Sequence, residues 1–153
     1  IVDRVGDLAD YADDRGVDIV MELHVGAAID RPERMLWLIE QVSSPHLKVN
    51  CDYSHFQAMG MSPEESLPPL VPHMVHAHVK TAVGRYPDHQ FLTPGEDDFD
   101  FGNYLRVMAD AGYDGFQSIE ISVHVQQRPG YEPFAHAQLA YDTLSRGSEE
   151  SGL

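Results

Sequence analysis

The chain has 153 residues, of which 42% are hydrophobic and 23% are charged, and its formal net charge is −15 at pH 7. Length and composition predict one globular domain and exclude collagen-like, low-complexity and wholly disordered proteins. No apolar run approaches the length of about 18 residues that a membrane span needs, and the acidic charge opposes binding to nucleic acid. The single cysteine, Cys51, cannot form an internal disulfide, which favours a reducing compartment and a cytoplasmic location.

Helix and strand patterns alternate along the chain. Apolar spacing, prolines and glycines predict, in order, helix 2–15, strand 18–24, a helix ending near 43, strand 47–52, a short helix after Ser62, strand 75–80, a loop over 81–98, helix 101–111, strand 116–122 and helix 132–145. The stretches from Asp30 to Glu33 and from Ser62 to Glu65 have the form of capping boxes. We predict one domain, residues 1–147, closed by Gly147 and followed by a polar tail, 148–153.

Each predicted strand has one apolar face and one polar, ionisable face. An open antiparallel sheet would turn the polar face to water. Strict alternation of helices and strands instead predicts parallel strands whose crossover helices cover one face. A (β/α) barrel satisfies both observations, because its helices cover the apolar faces and its polar groups converge inside. The predicted fold class is therefore α/β.

Four ionisable side chains lie in phase on the polar faces, one near the carboxyl end of each strand. They are Glu22, Asp52, His78 and Glu120. Barrel enzymes place their chemistry at that end of the strands. Three carboxylates in one cavity would repel one another, and a divalent cation removes the repulsion. Three oxygen donors and one nitrogen donor suit Mn²⁺, Mg²⁺ or Co²⁺, with Zn²⁺ as a further option.

The sequence pieces MELH, CDYSH, HAHVK and SIEIS resemble the sugar isomerase/epimerase group of xylose isomerase-like TIM barrels. In that group a divalent metal is held by Glu, Asp, His and Glu from strands five to eight. The resemblance implies that Glu22, Asp52, His78 and Glu120 are the metal ligands. It selects His78 rather than His76, because the ligand is the second histidine of the H-x-H motif.

Further residues are candidates for substrate binding. The resemblance implies such a role for His55, which follows Asp52 by three positions, and for Arg85; the alternative for both is a solvent-exposed loop position. Lys80 faces inward by phase and either polarises a substrate oxygen or pairs with an acid. His24 also faces inward, and it either contacts substrate or supports the ligands.

The resemblance covers almost all of this chain but only the second half of the family's fold. A full barrel has eight strands and typically about 250 residues, whereas four strands are predicted here. We therefore expect a partial (β/α)₈ TIM barrel made of the four parallel βα units of its C-terminal half. Two explanations remain open: a truncated sequence, or a half-barrel that closes by dimerising as a homo-oligomer.

The resemblance implies a divalent-metal-dependent isomerase or epimerase of a sugar or related hydroxy-carbonyl compound, with a role in carbohydrate metabolism. Glu22 and Glu120 would be the catalytic acid and base, moving a proton through a metal-stabilised enediolate. One alternative is a metal-dependent dehydratase or lyase acting on a polyol-like substrate. Others are an AP-endonuclease-like phosphodiesterase, which the acidic charge opposes, and a non-catalytic binding domain. The expected partner is a small sugar-like molecule, with no nucleic acid and no membrane.

Overall fold

The computed structural model describes all 153 residues, from Ile1 to Leu153. The strands are β1 (Ile19–Glu22), β2 (Leu47–Asp52), β3 (Met74–Val79), β4 (Thr81–Val83), β5 (Gln90–Leu92) and β6 (Gln117–Ile119). The α-helices are α1 (Val2–Asp13), α2 (Pro32–Val42), α3 (Tyr53–Met59), α4 (Pro63–Ser66), α5 (Phe101–Asp110), α6 (Val123–Gln126) and α7 (Pro133–Ser151), and a 3₁₀ helix spans Val71–His73. β1, β2, β3 and β6 form a parallel sheet in that order, and β4 pairs antiparallel with β5.

The two faces of the parallel sheet differ as the alternation predicts. Val49, Cys51 and Ala77 point to the helices and are at most 1% exposed, within the main hydrophobic core. On the opposite face Val20 is 43% exposed. The predicted α/β class and the partial barrel are confirmed, because the helices cover one face of four parallel strands and leave the ionisable face open.

Strand register brings the carboxyl ends of the strands to one edge of the sheet. Asp52 pairs directly with His78, and Glu22 pairs with Asn50, two residues before Asp52. His78 in turn pairs with Ser118, two residues before Glu120. The inward side chains of neighbouring strands are therefore offset by zero or two residues, an even number that keeps them on one face.

The predicted loop over 81–98 is wrong in part, because residues 81–83 and 90–92 form an antiparallel hairpin. Ala82 and Phe91 are buried on this hairpin and pack with Val25 and Ala58 in a second, smaller core. This packing against α3 stabilises the two short strands, although the segment is rich in turn residues. The hairpin lies over the carboxyl ends of the strands and closes one side of the site.

Several helix boundaries differ from the prediction. Arg31 is the N-cap of α2 without a side-chain cap, and Asp30 binds Arg34 instead (2.9 Å), so the first predicted capping box is wrong. The Ser62 oxygen accepts a hydrogen bond from the Glu65 amide (3.2 Å), which confirms the cap of the second. Helix α7 runs from Pro133 through Gly147 to Ser151, so the predicted end at 145 is wrong, and Gly147 packs against Phe101 of α5 instead of ending the helix. The division into a domain 1–147 and a tail 148–153 stays a prediction.

Both edges of the parallel sheet are unpaired, since β1 pairs only with β2 and β6 only with β3.

No helix combines the length and the apolar character that crossing a membrane requires.

The contact between α5 and α7 depends on a glycine. A Cβ at Gly147 would lie 2.9 Å from Phe101 Cβ and 3.1 Å from its backbone carbon, so the helices would have to separate. We expect Gly147→Ala to lower the free energy of unfolding by about 1–3 kcal/mol, more than the helix propensity of alanine restores. Urea denaturation measures the change. The control is Gly6→Ala in α1, where a Cβ meets nothing within 4 Å. A Gly147→Ala protein as stable as the control would contradict this packing.

Candidate active site

Four side chains from four neighbouring strands meet at the open face of the sheet. Glu22 ends β1, Asp52 ends β2, His78 lies in β3 and Glu120 follows β6. Each offers one potential ligand atom, and these atoms lie within 4.8 Å of one another. The sequence prediction that the four lie together is thus confirmed as geometry.

His78 is at the centre of this group. Its Nδ1 lies 3.0 Å from Glu22 Oε1 and 3.1 Å from Glu120 Oε2. The Asn50 amide nitrogen is 3.1 Å from the same Nδ1. One imidazole nitrogen carries at most one proton, so it cannot donate to both carboxylates at once.

Asp52 is held more tightly than the other acids. Its side chain is fully buried, its Oδ1 accepts a hydrogen bond from the Ser54 amide (2.9 Å), and its Oδ2 accepts one from Lys80. The same ammonium donates to Glu120 Oε2 (2.9 Å). Burial alone lowers the pKa of Lys80, but the charge and hydrogen bonds of Asp52 and Glu120 outweigh it and raise the pKa above its ordinary value. Lys80 is therefore a permanent cation at the base of the site.

The charge balance of the cluster leaves room for a divalent cation. Three carboxylates less one ammonium leave two negative charges when His78 is neutral. Three carboxylate oxygens and one imidazole nitrogen are donors that Mn²⁺, Mg²⁺, Co²⁺ and Zn²⁺ accept. This donor set fits a cation held by Glu22, Asp52, His78 and Glu120. So does the position of His78 Nδ1, which faces two carboxylates but can carry only one proton.

His55 lies beneath the cluster in α3. It is 1% exposed, its Nε2 is 3.9 Å from Asp52 Oδ2, and its Nδ1 is buried without a hydrogen-bond partner. The His24 ring centroid lies 4.0 Å from that of His55. Burial, with the nearby charge of Lys80 and the adjacent His24, lowers the pKa of His55 to about 2, so the ring is neutral at pH 7.

These groups border an open cavity of about 500 Å³. Its lining includes His24, His55, Lys80 and Glu120, so three of the four predicted substrate-binding residues reach it. A larger cavity of about 660 Å³ lies between α5, β6 and α7. We place the active site at the 500 Å³ cavity, because Glu120 of the ionisable cluster and Lys80, which binds both Asp52 and Glu120, line it, and a site for polar chemistry needs such groups.

Arg85 is the predicted residue that the structure leaves apart from this cavity. It lies exposed on the turn between β4 and β5, where its guanidinium donates to the Gln57 carbonyl (3.0 Å). Among the lining residues that were not predicted from the sequence are Phe91, His89 and His124. They come together only in the folded β4–β5 hairpin and the short helix α6, and strand periodicity predicts neither element.

A family model described as a xylose isomerase-like TIM barrel matches residues 1–141, so the chain belongs to that family. Among curated proteins, an inosose dehydratase of Clostridium botulinum (strain Alaska E43 / Type E3) is 24% identical over 128 residues, covering 74% of this chain and 43% of that protein. The chain spans about half the length of the relatives and solved structures that it matches.

Solved structures share the fold at low sequence identity. A xylose isomerase domain protein from Planctomyces limnophilus has a TM-score of 0.78 at 22% identity, over 99% of this chain and 52% of that one. An L-ribulose 3-epimerase has a TM-score of 0.79 at 15% identity, over 99% and 54%. A xylose isomerase-like TIM barrel protein from Mycobacterium smegmatis, solved in complex with magnesium, has a TM-score of 0.69 at 16% identity, over 98% and 50%.

The neutral, buried His55 predicts a pH-dependent stability. The unfolded chain protonates this imidazole below about pH 6.5, whereas the folded protein holds its pKa near 2, so protons favour unfolding. In the presence of a chelator, stability should fall as the pH drops below 6.5, and His55 should contribute up to about 1.4 kcal/mol per pH unit. Urea denaturation between pH 7.5 and 4.5 measures this slope. His55→Asn should flatten the dependence of stability on pH, and the buried control Ser54→Ala should retain it. Equal slopes in all three proteins would contradict the attribution of this dependence to His55.

Proposed function

We propose that the protein is a divalent-metal-dependent isomerase or epimerase of a sugar or related hydroxy-carbonyl compound. The observation that carries this proposal is the convergence of Glu22, Asp52, His78 and Glu120, with ligand atoms within 4.8 Å, at the carboxyl ends of four parallel strands. Membership of the xylose isomerase-like family and the fold shared with an L-ribulose 3-epimerase support it. Because the chain spans only about half the length of these relatives, the activity is proposed for the whole protein.

The four side chains would hold the cation, and two of them would also move protons. The side chains of Glu22 and Glu120 are 34% and 36% exposed, whereas that of Asp52 is fully buried. Glu22 and Glu120 can therefore reach a substrate from either side of His78, while Asp52 can only bind and orient. One glutamate takes the proton from the carbon next to the carbonyl, and a proton then returns from the same or the opposite carboxyl.

A bound Mn²⁺, Mg²⁺ or Co²⁺, or alternatively Zn²⁺, would supply electrophilic stabilisation of the negative charge on substrate oxygens. Lys80 fixes the positions of Asp52 and Glu120 and adds a positive charge at the base of the cavity. His55 and His24 would orient substrate hydroxyls from the cavity wall. Arg85 could contact substrate only after its guanidinium leaves the Gln57 carbonyl.

A metal-dependent dehydratase is the second candidate, favoured by the similarity to inosose dehydratase. Both reactions begin with removal of a proton next to a carbonyl, and the dehydratase then expels hydroxide from the neighbouring carbon. Loss of water from the product distinguishes the two. The net charge of −15 speaks against an AP-endonuclease-like phosphodiesterase, since DNA binding needs a basic surface. A cytoplasmic location and a homo-oligomeric state stay predictions.

The proton-transfer step predicts deuterium incorporation into the substrate. In D₂O with Mn²⁺, at least one of D-fructose, D-tagatose and L-ribulose should lose the NMR signal of the hydrogen next to its carbonyl. Glu22→Gln and Glu120→Gln should each slow this exchange by at least about 100-fold, because general acid–base catalysis contributes that much. Removal of Mn²⁺ by a chelator should also stop it.

The matched control is Glu40→Gln, an exposed glutamate of α2 far from the site, which should exchange at the wild-type rate. Circular dichroism and bound Mn²⁺ are measured for each variant. Exchange that persists in both Glu22→Gln and Glu120→Gln would contradict the assigned roles, and a folded, Mn²⁺-loaded protein that exchanges none of the sugars would contradict the proposed function.

A further inference from the structure

A second polar cavity adjoins the active-site cavity. It has a volume of about 430 Å³ and no hydrophobic residue in its lining, which consists of His89, Gln90, His124, Gln127 and Arg128. His89 and His124 also line the active-site cavity, together with Lys80 and Glu120. The two imidazoles thus form the wall at which the cavities meet.

Phe91 holds these two imidazoles in place. It is 6% exposed, its ring centroid lies 4.8 Å from that of His89 in an edge contact, and it stacks on His124 at 5.4 Å. The Phe91 amide donates a hydrogen bond to His124 Nδ1 (3.1 Å). In the neutral ring this bond places the proton on Nε2, which is left as a free donor. The arrangement is therefore fixed by the hairpin and by α6 before any ligand arrives.

The outer cavity offers hydrogen bonds but no free positive charge. The only guanidinium in its wall, that of Arg128, is bound to Glu96 Oε1 at 2.7 Å. Burial, with His124 and His24 nearby, lowers the pKa of His89, so this ring is neutral at pH 7. The remaining groups are the amides of Gln90 and Gln127. Hydroxyl groups find donors and acceptors here, whereas a phosphate or carboxylate would lose water without gaining a countercharge.

We propose that His89 and His124 form a hydroxyl-binding subsite for the uncharged, polyhydroxylated end of the substrate, remote from the four metal-binding side chains. The substrate is then a neutral sugar or polyol ketone rather than a sugar phosphate or sugar acid. This inference rests on the proposed function, because it takes the reacting end of the substrate to lie at Glu22 and Glu120.

Two probes that differ only at the remote end test the subsite. D-fructose and D-fructose 6-phosphate are titrated into the purified protein with Mg²⁺, and the imidazole C–H resonances are followed by NMR. D-fructose should shift the resonances of His89 and His124 and should bind at least tenfold more tightly than the phosphate. His89→Phe and His124→Phe should each weaken D-fructose binding roughly tenfold, the value of one good hydrogen bond, with Mg²⁺ affinity unchanged.

His73→Phe is the matched control, since His73 precedes β3 at the opposite end of the sheet and should leave D-fructose affinity unchanged. His89→Phe keeps the test decisive if His124→Phe disturbs the bond to Phe91. Equal or tighter binding of the phosphate, wild-type affinity in His89→Phe, or no response of either imidazole to D-fructose would overturn the subsite. Deuterium exchange is measured separately. If the wild type exchanges the sugar but His89→Phe and His124→Phe bind D-fructose as tightly as the wild type, the subsite alone is refuted. If D-fructose binds selectively but no exchange occurs, the proposed function alone is refuted.

Discussion

Repulsion among Glu22, Asp52 and Glu120 is the constraint on which the site depends. Three carboxylates within a few ångströms of one histidine are stable only with positive charge among them, and Lys80 supplies a single unit through Asp52 and Glu120. Glu22 and Asp52 end strands and Glu120 directly follows one, so the backbone holds the three acids close together despite the repulsion. The remaining negative charge attracts a divalent cation, and the two accessible glutamates can then transfer protons to and from a substrate bound beside it.

Sheet topology explains why the acids meet. In parallel strands all the carboxyl ends share one edge, and alternate side chains share one face, so one residue from each of four strands enters the same space. The core on the other face, built from residues such as Val49 and Ala77, anchors the strands against the helices. Burial of that face leaves Glu22 and His78 partly accessible on the open one, where a substrate can approach.

Strand periodicity allowed the fold class and the four converging side chains to be predicted from the sequence. It works because the period of two residues is set by backbone geometry, and the register irregularity between Val49 and Asn50 lies before Asp52 and His78. The β4–β5 hairpin was missed, because its short strands are stabilised by tertiary packing of Phe91 and Ala82 rather than by local pattern. The contribution of His89 and His124 was missed for the same reason, since only the folded hairpin and α6 bring them to the cavity. Asp30 was misassigned as a cap because a local motif does not reveal the competing ion pair with Arg34.

The most direct test of the metal site is a calorimetric titration of the purified protein with Mn²⁺. One ion should bind per chain, and Asp52→Asn and His78→Gln should each weaken binding at least about tenfold, as the loss of a ligand implies. Two controls should bind Mn²⁺ as the wild type does, namely Asp88→Asn at an exposed position and His73→Gln at a partly exposed one. A folded protein that binds no Mn²⁺, or that binds it equally well in Asp52→Asn and His78→Gln, would contradict the assignment of these four side chains as a metal site.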